Sequence, residues 1–128
     1  MGLESDPALV VPLLWEHFQG RDWDGARELL DEDVEVCWVH TGERWLGRDA
    51  FIRVNREYPE GWSIAMTRIV AAGSQVVSEI VVPSPQGTFR AASFFEVRDG
   101  RIVRATEYWL EEGGEAPPKW RTGWAERS

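Results

Sequence analysis

Apolar positions recur along this chain with two spacings, helical at first and strand-like later. Between residues 6 and 20, Val10, Leu13, Leu14, His17 and Phe18 repeat at helical intervals. Asp6 supplies an N-cap, Pro7 a first-turn residue whose missing N–H costs nothing, and Gly20 a stop. Asp22 can cap a second short helix carrying Ala26, Leu29 and Leu30, with Asp31-Glu32-Asp33 as the solvated turn that ends it. The period then falls to two. Over residues 34–40, Val34, Val36, Trp38 and His40 share one face of a strand, while Glu35, Cys37 and Val39 share the other. Thr41-Gly42 turns the chain and Trp45-Leu46-Gly47 reads as a short returning strand. Asp49 is placed to cap a third helix running to about Tyr58, before Pro59.

From there the pattern is almost continuously β, over residues 62–72, 75–82, 88–98 and 101–111. Gly73-Ser74 and Asp99-Gly100 suit tight hairpins, and Pro83-Ser84-Pro85-Gln86-Gly87 a longer turn. These strands predict an antiparallel meander. With the helices grouped in front of it, the class is α+β rather than alternating α/β. A length of 128 residues fits a single domain over 1–128, with its core in 6–111 and a tail in 112–128. Trp120 and Trp124 stand one helical turn apart in that tail, so the segment from Pro117 is expected to dock, on the pocket mouth or on a partner subunit.

Charge and composition narrow the partners. A net charge of −8 with no block of Lys or Arg argues against nucleic acid and against anionic membranes. Cys37 has no cysteine to pair with, and MGLESDPALV lacks the basic start and apolar run of a leader. Asp6 also stands where a myristoylation signal at Gly2 needs Ser or Thr. No stretch approaches the ~20 apolar residues of a membrane span. A cytoplasmic location is expected. Eight tryptophans favour an aromatic pocket, and the helix and strand phases aim Trp15, Phe18, Trp38, Trp62 and Trp109 at one concave face.

Two histidines, one cysteine and no HExxH or CxxC spacing argue against a zinc site, and Asp31-Glu32-Asp33 lacks the spaced partners of a calcium loop. A Gly-rich phosphate loop, a serine nucleophile elbow and a flavin fingerprint are absent too, so no cofactor is expected. Arg44, Arg48 and Arg53 read as a solvated face, His17 as packing or surface, and Cys37 as a small buried hydrophobe away from the pocket.

The element order, with RDWDGARELLDEDVEV early and RDGRIVRATEYW late, resembles the nuclear transport factor 2-like superfamily over about residues 7–111, and within it the SnoaL-like polyketide-cyclase group. The resemblance implies a cone-shaped α+β barrel: three N-terminal helices packed on a curved antiparallel sheet, a pocket between them, and homodimers packed sheet to sheet. It also allows particular chemistries to be tested. Ketosteroid isomerase needs an Asp base with a Tyr and a protonated Asp. The corresponding positions here are Trp38, Leu14 and Ser93, which argues against that mechanism. The Arg-x-Asp of limonene-epoxide hydrolase falls on Ile80 and Val82, and only its last Asp keeps an acidic counterpart, Glu107.

Glu107 is therefore the candidate acid or base, on a strand face with Val103, Ala105 and Trp109; the alternative is a structural Glu paired with Arg90 or Arg104, or turned to water. His40, at the pocket mouth, and Ser93 are candidates for orienting a substrate. Leu14, Trp15, Phe18, Trp38, Trp62, Ile80, Val82 and Trp109 are the candidate binding wall. Two functions remain open: cofactor-free proton transfer on a hydrophobic, carbonyl-bearing metabolite, or a non-catalytic module that binds a ligand or dimerises.

Overall fold

Asp6 opens the first helix, α1 (Pro7–Gln19), by accepting a hydrogen bond from the Ala8 N–H at 3.0 Å in the computed structural model, which describes residues 6–127. Residues 1–5, with most of the leader and lipidation readings, lie outside the described residues. α1 buries Val10, Val11, Leu14, Trp15 and Phe18. After the corner at Gly20 and Arg21, Asp22 caps α2 (Trp23–Glu28) through the Gly25 N–H at 3.0 Å.

Leu30 does not continue α2 but begins β1 (Leu30–Trp38), and the acidic triplet lies inside that strand rather than in a turn. The cause is long-range. Leu30 is fully buried opposite Ile102, and the pairing register shifts between Leu30 and Glu35 to accommodate the charged residues. β2 (Glu43–Leu46) returns along β1, and α3 (Arg48–Glu57) follows at once. Its N-cap is Gly47, at φ 89, and Asp49 sits one residue inside, paired with Arg27 at 2.8 Å instead of capping. Arg48 also departs from the solvated reading: its Nε is buried without a hydrogen-bond partner.

The meander consists of β3 (Ala65–Ala72), β4 (Gln75–Ser84), β5 (Gly87–Arg98) and β6 (Arg101–Glu111). Pro83 and Ser84 extend β4, so only Pro85-Gln86 turns between paired Ser84 and Gly87. Residues 62–64 belong to a loop preceding β3. Val103 is the extra residue of a bulge: Glu96 pairs with Arg104 and Val97 with Ile102, which turns Ile102 inward in its place.

The six strands lie in the order β2-β1-β6-β5-β4-β3. The sheet is mixed and open, where a wholly antiparallel barrel was expected. β1 and β6 run parallel, because β6 closes the meander with one edge free and β1 fills that edge in the direction set by its exit from α2. Closure would need β2 to meet β3, but β2 is four residues long and α3 leaves directly from it. α1 packs across the concave face, against β3 through β6. One register row crosses that face: Ile69, Ser78, Ser93, Glu107 and Trp38, on β3, β4, β5, β6 and β1.

The tail turns through a short 3-10 segment, Lys119–Arg121, and its two indoles pack edge to face at 5.7 Å. Trp120 and Trp124 remain 68% and 80% exposed, covered by neither the sheet nor the cavity mouth of their own chain. Among the described residues no helix is long and apolar enough to cross a membrane.

Candidate functional site

A cavity of about 320 Å³ opens between the concave sheet and the helices. α1 contributes Trp15, β1 and its continuation contribute Trp38 and His40, and the sheet contributes Ile80, Val82, Phe89 and Trp109. The fourth side is α3 and the loop after it, with Asn55, Tyr58, Trp62 and Ile64. Trp38 stacks edge to face on Trp109 at 6.5 Å and lies 6.0 Å from the His40 ring.

Glu107 lines this cavity while being 1% exposed. Its Oε1 accepts a hydrogen bond from Trp38 Nε1–H at 2.8 Å, and its Oε2 lies 2.8 Å from Ser93 Oγ. Burial pushes the carboxyl above the usual carboxylate range, more strongly than Ser93, Trp38 and the nearby Trp109 pull it down. The Trp109 Nε1 is buried without a partner of full hydrogen-bond geometry. No arginine neutralises the site: Arg90 pairs with Glu112 and Arg104 with Glu96. A carboxyl whose burial favours its neutral form thus stands at the edge of an apolar void. In that state it can donate to an oxygen acceptor as well as accept.

The remaining site candidates divide. Trp15, Trp38, Trp62, Ile80, Val82, Trp109, His40 and Glu107 all meet the cavity. Leu14 and Phe18 do not. Both are fully buried, and Phe18 packs against Trp23 at 5.5 Å and Phe51 at 5.7 Å, between the helices rather than over the sheet. Ser93 is buried behind Glu107 and reaches the cavity only through that carboxyl. Cys37 is half-buried on the outer face, opposite Thr106, rather than enclosed. His17 pairs with Asp22 at 3.1 Å.

Ser78 was not singled out from the sequence. Its Oγ accepts from Trp15 Nε1–H at 3.0 Å, which fixes the indole that roofs the cavity. The available signal was a small polar residue in the inward phase of Val76, Ile80 and Val82. A wider groove of about 740 Å³ runs outside α3 beside Trp45 and Arg53, away from Glu107. Among the described residues no cluster of three or more His, Cys, Asp or Glu is placed to hold a metal.

The model of the SnoaL-like domain matches residues 13–105, and the chain belongs to that family. A search of curated proteins finds no match. Among solved structures, the chain is similar to a protein of Kribbella flavida DSM 17836 provisionally assigned as a ketosteroid isomerase, at 30% identity and TM-score 0.87, covering 95% of this chain and 89% of that one. It is also similar to a provisional polyketide cyclase of Xanthomonas campestris pv. campestris, at 29% identity and TM-score 0.64, over 82% and 91% of the two chains. An LEH-like epoxide hydrolase of M. tuberculosis shares the fold at 23% identity and TM-score 0.69, over 81% and 82%.

Proposed function

We propose that this domain binds a flat, apolar, carbonyl-bearing small molecule and catalyses cofactor-free proton transfer on it. The observation that carries the reading is Glu107, a carboxyl 1% exposed at the edge of an aromatic cavity, with its pKa raised by that burial. In the proposed step the substrate carbonyl oxygen takes the proton of Glu107. His40, at the rim, takes the α-proton, and the C–H electron pair becomes the enol double bond. Reversal with the proton returned to another carbon gives isomerisation; attack by the enol on a second carbonyl gives ring closure.

The provisional isomerase and cyclase assignments of two similar proteins agree with this class of chemistry. The residues differ from those of ketosteroid isomerase, since Leu14, Trp38 and Ser93 stand where that enzyme needs Tyr, Asp and Asp. The reading takes residues 1–128 as one domain, acting in the cytoplasm as a homodimer through the outer face of β4, β5 and β6, without cofactor, metal, nucleic acid or membrane.

The test is α-proton exchange of 2-tetralone in D2O, followed by NMR, with binding read from tryptophan fluorescence. Catalysed exchange that Glu107→Gln abolishes while binding persists is the expected result. Binding without exchange in the unaltered protein would instead establish the non-catalytic module.

A further inference from the structure

We propose that Arg21 is the latch of the cavity: a positioning residue that clamps the loop between α3 and β3 and so controls how a ligand enters and leaves. The ligand part of this proposal rests on the reading above, whereas the clamp itself does not. Residues 58–64 form no helix or strand, yet they supply Tyr58, Trp62 and Ile64 to the cavity wall. Without a ladder of its own, such a segment keeps its place only through ties to neighbouring elements.

Arg21 spends its whole guanidinium on that task. Nε and Nη2 donate to the two carboxylate oxygens of Glu60 at 3.0 and 2.9 Å, and Nη2 also donates to the Trp62 carbonyl at 2.7 Å. Nη1 donates to the carbonyls of Phe18 and Gln19, both at 3.0 Å, which joins the loop to the end of α1. The guanidinium carbon stands 3.4 Å from the centroid of the Trp62 ring, so the same cation covers the indole that walls the cavity. Glu60 responds as a clamped partner, with its carboxyl held below the usual range by the bond from Arg21. Gln19 adds a second tie, its Oε1 accepting from the Ile64 N–H at 2.5 Å.

The backbone says that this side chain was placed at a cost. α1 ends with the Asp22 N–H bonded to the His17 carbonyl at 2.8 Å and the Arg21 N–H to the Phe18 carbonyl at 3.1 Å. This is the helix ending whose left-handed position favours glycine. A glycine is adjacent, but Gly20 has φ −81 and the left-handed conformation, φ 57, falls on Arg21. Among the described residues the only other non-glycine at positive φ is Asp99, whose Asp-Gly hairpin explains it. At Arg21 the compensation is the set of loop contacts, which no glycine could make.

That conformation also supplies a clean test, because Arg21→Gly removes the latch and leaves a residue suited to the helix ending. Amide exchange is followed by mass spectrometry in the full chain, in Arg21→Gly, and in Glu60→Gln, which removes the ion pair but keeps the stacking on Trp62. Exchange over residues 58–64 should rise at least about tenfold in Arg21→Gly and less in Glu60→Gln, with α1 and β5 unchanged. No change in that loop, or an equal rise throughout the fold, would overturn the latch.

Stopped-flow fluorescence with 2-acetonaphthalene then reads the gate. Association and dissociation rates should both rise about fivefold or more in Arg21→Gly, with Kd moving less than either. Unchanged rates beside a loosened loop would overturn the control of access. If the unaltered protein binds no 2-acetonaphthalene, the ligand reading and the gate built on it both fail, and the exchange data alone decide the clamp.

Discussion

Trp38 and Glu107, 69 residues apart in sequence, occupy one rung of the parallel β1–β6 pair, where the indole N–H donates to the carboxyl at 2.8 Å. Donation of this kind, from Trp38 and from Ser93, favours the charged carboxylate, whereas desolvation by burial favours the neutral acid. Enclosure dominates, and several expectations follow from that balance.

Glu107 should make the fold less stable as pH rises. Its folded pKa lies above the unfolded value of 4.5, so the folded chain holds a proton that the unfolded chain has already lost. The associated stability is fully present below pH 4.5 and declines as pH rises through the folded pKa, by up to about 1.4 kcal/mol per pH unit. Urea denaturation from pH 4 to 9 should show a falling component in the unaltered protein that is missing in Glu107→Gln. Parallel curves for the two proteins would mean that Glu107 is ionised at neutral pH.

Removing either donor should push the carboxyl further up. Trp38→Phe and Ser93→Ala each delete a bond that holds the Glu107 pKa down, and each should cost about 1 to 3 kcal/mol of stability, because one side of a buried polar pair is left unmet. The carboxyl resonance of glutamate labelled with carbon-13 reports the titration directly. A lowered pKa in either variant would show that the donors act on the neutral form.

Core and cavity residues should separate by substitution. Leu14→Ala opens a void in fully buried packing, with an expected loss of about 3 kcal/mol and little effect on ligand choice. Val82→Phe instead projects into the cavity, and should weaken binding of 2-acetonaphthalene tenfold or more while stability changes by less than about 1.5 kcal/mol. Calorimetry paired with fluorescence titration distinguishes the two, and equal effects on binding would place Leu14 at the ligand after all.

The outer face of the sheet should carry a dimer. Phe94 and Tyr108 stack edge to face at 5.9 Å with about half of each exposed, and Leu110, Trp120 and Trp124 are further exposed apolar residues of the chain. Together they offer roughly 600 Å² or more per chain, approaching the ~800 Å² that each partner buries in a standard interface. Sedimentation should therefore show a dimer at micromolar concentration, a monomer for Phe94→Asp, and a weaker dimer when the chain ends after Glu112. A monomeric full chain removes this expectation.

Local pattern carried most of the elements and the inward phase of Glu107, because alternation along β6 depends only on neighbours in sequence. The placement of β1 beside β6 was not legible in the same way, since no local signal fixes which distant edge a strand will fill. That pairing decided several finer points. It drew Leu30 out of α2 and took Asp31 to Asp33 into a strand. Leu14 and Phe18 share helical spacing with Trp15, but the angle at which α1 crosses the sheet, a property of the packed helices, decides which of them meets the cavity. The role of Arg21 was hidden because it depends on Glu60 and Trp62, about forty residues away.

The parallel pair also sets the moment at which the protein can come into being during synthesis. β1 leaves the ribosome early and can pair with β2, but its other edge must wait until β6 has been made. Long-range pairing of this kind makes folding slow and late. A ribosome stalled before Glu107 would hold helices and part of a meander, with Trp38 still facing water. Glu107 and the Trp38 indole meet only as β6 docks, so a partly made chain lacks the constellation on which the proposed chemistry rests.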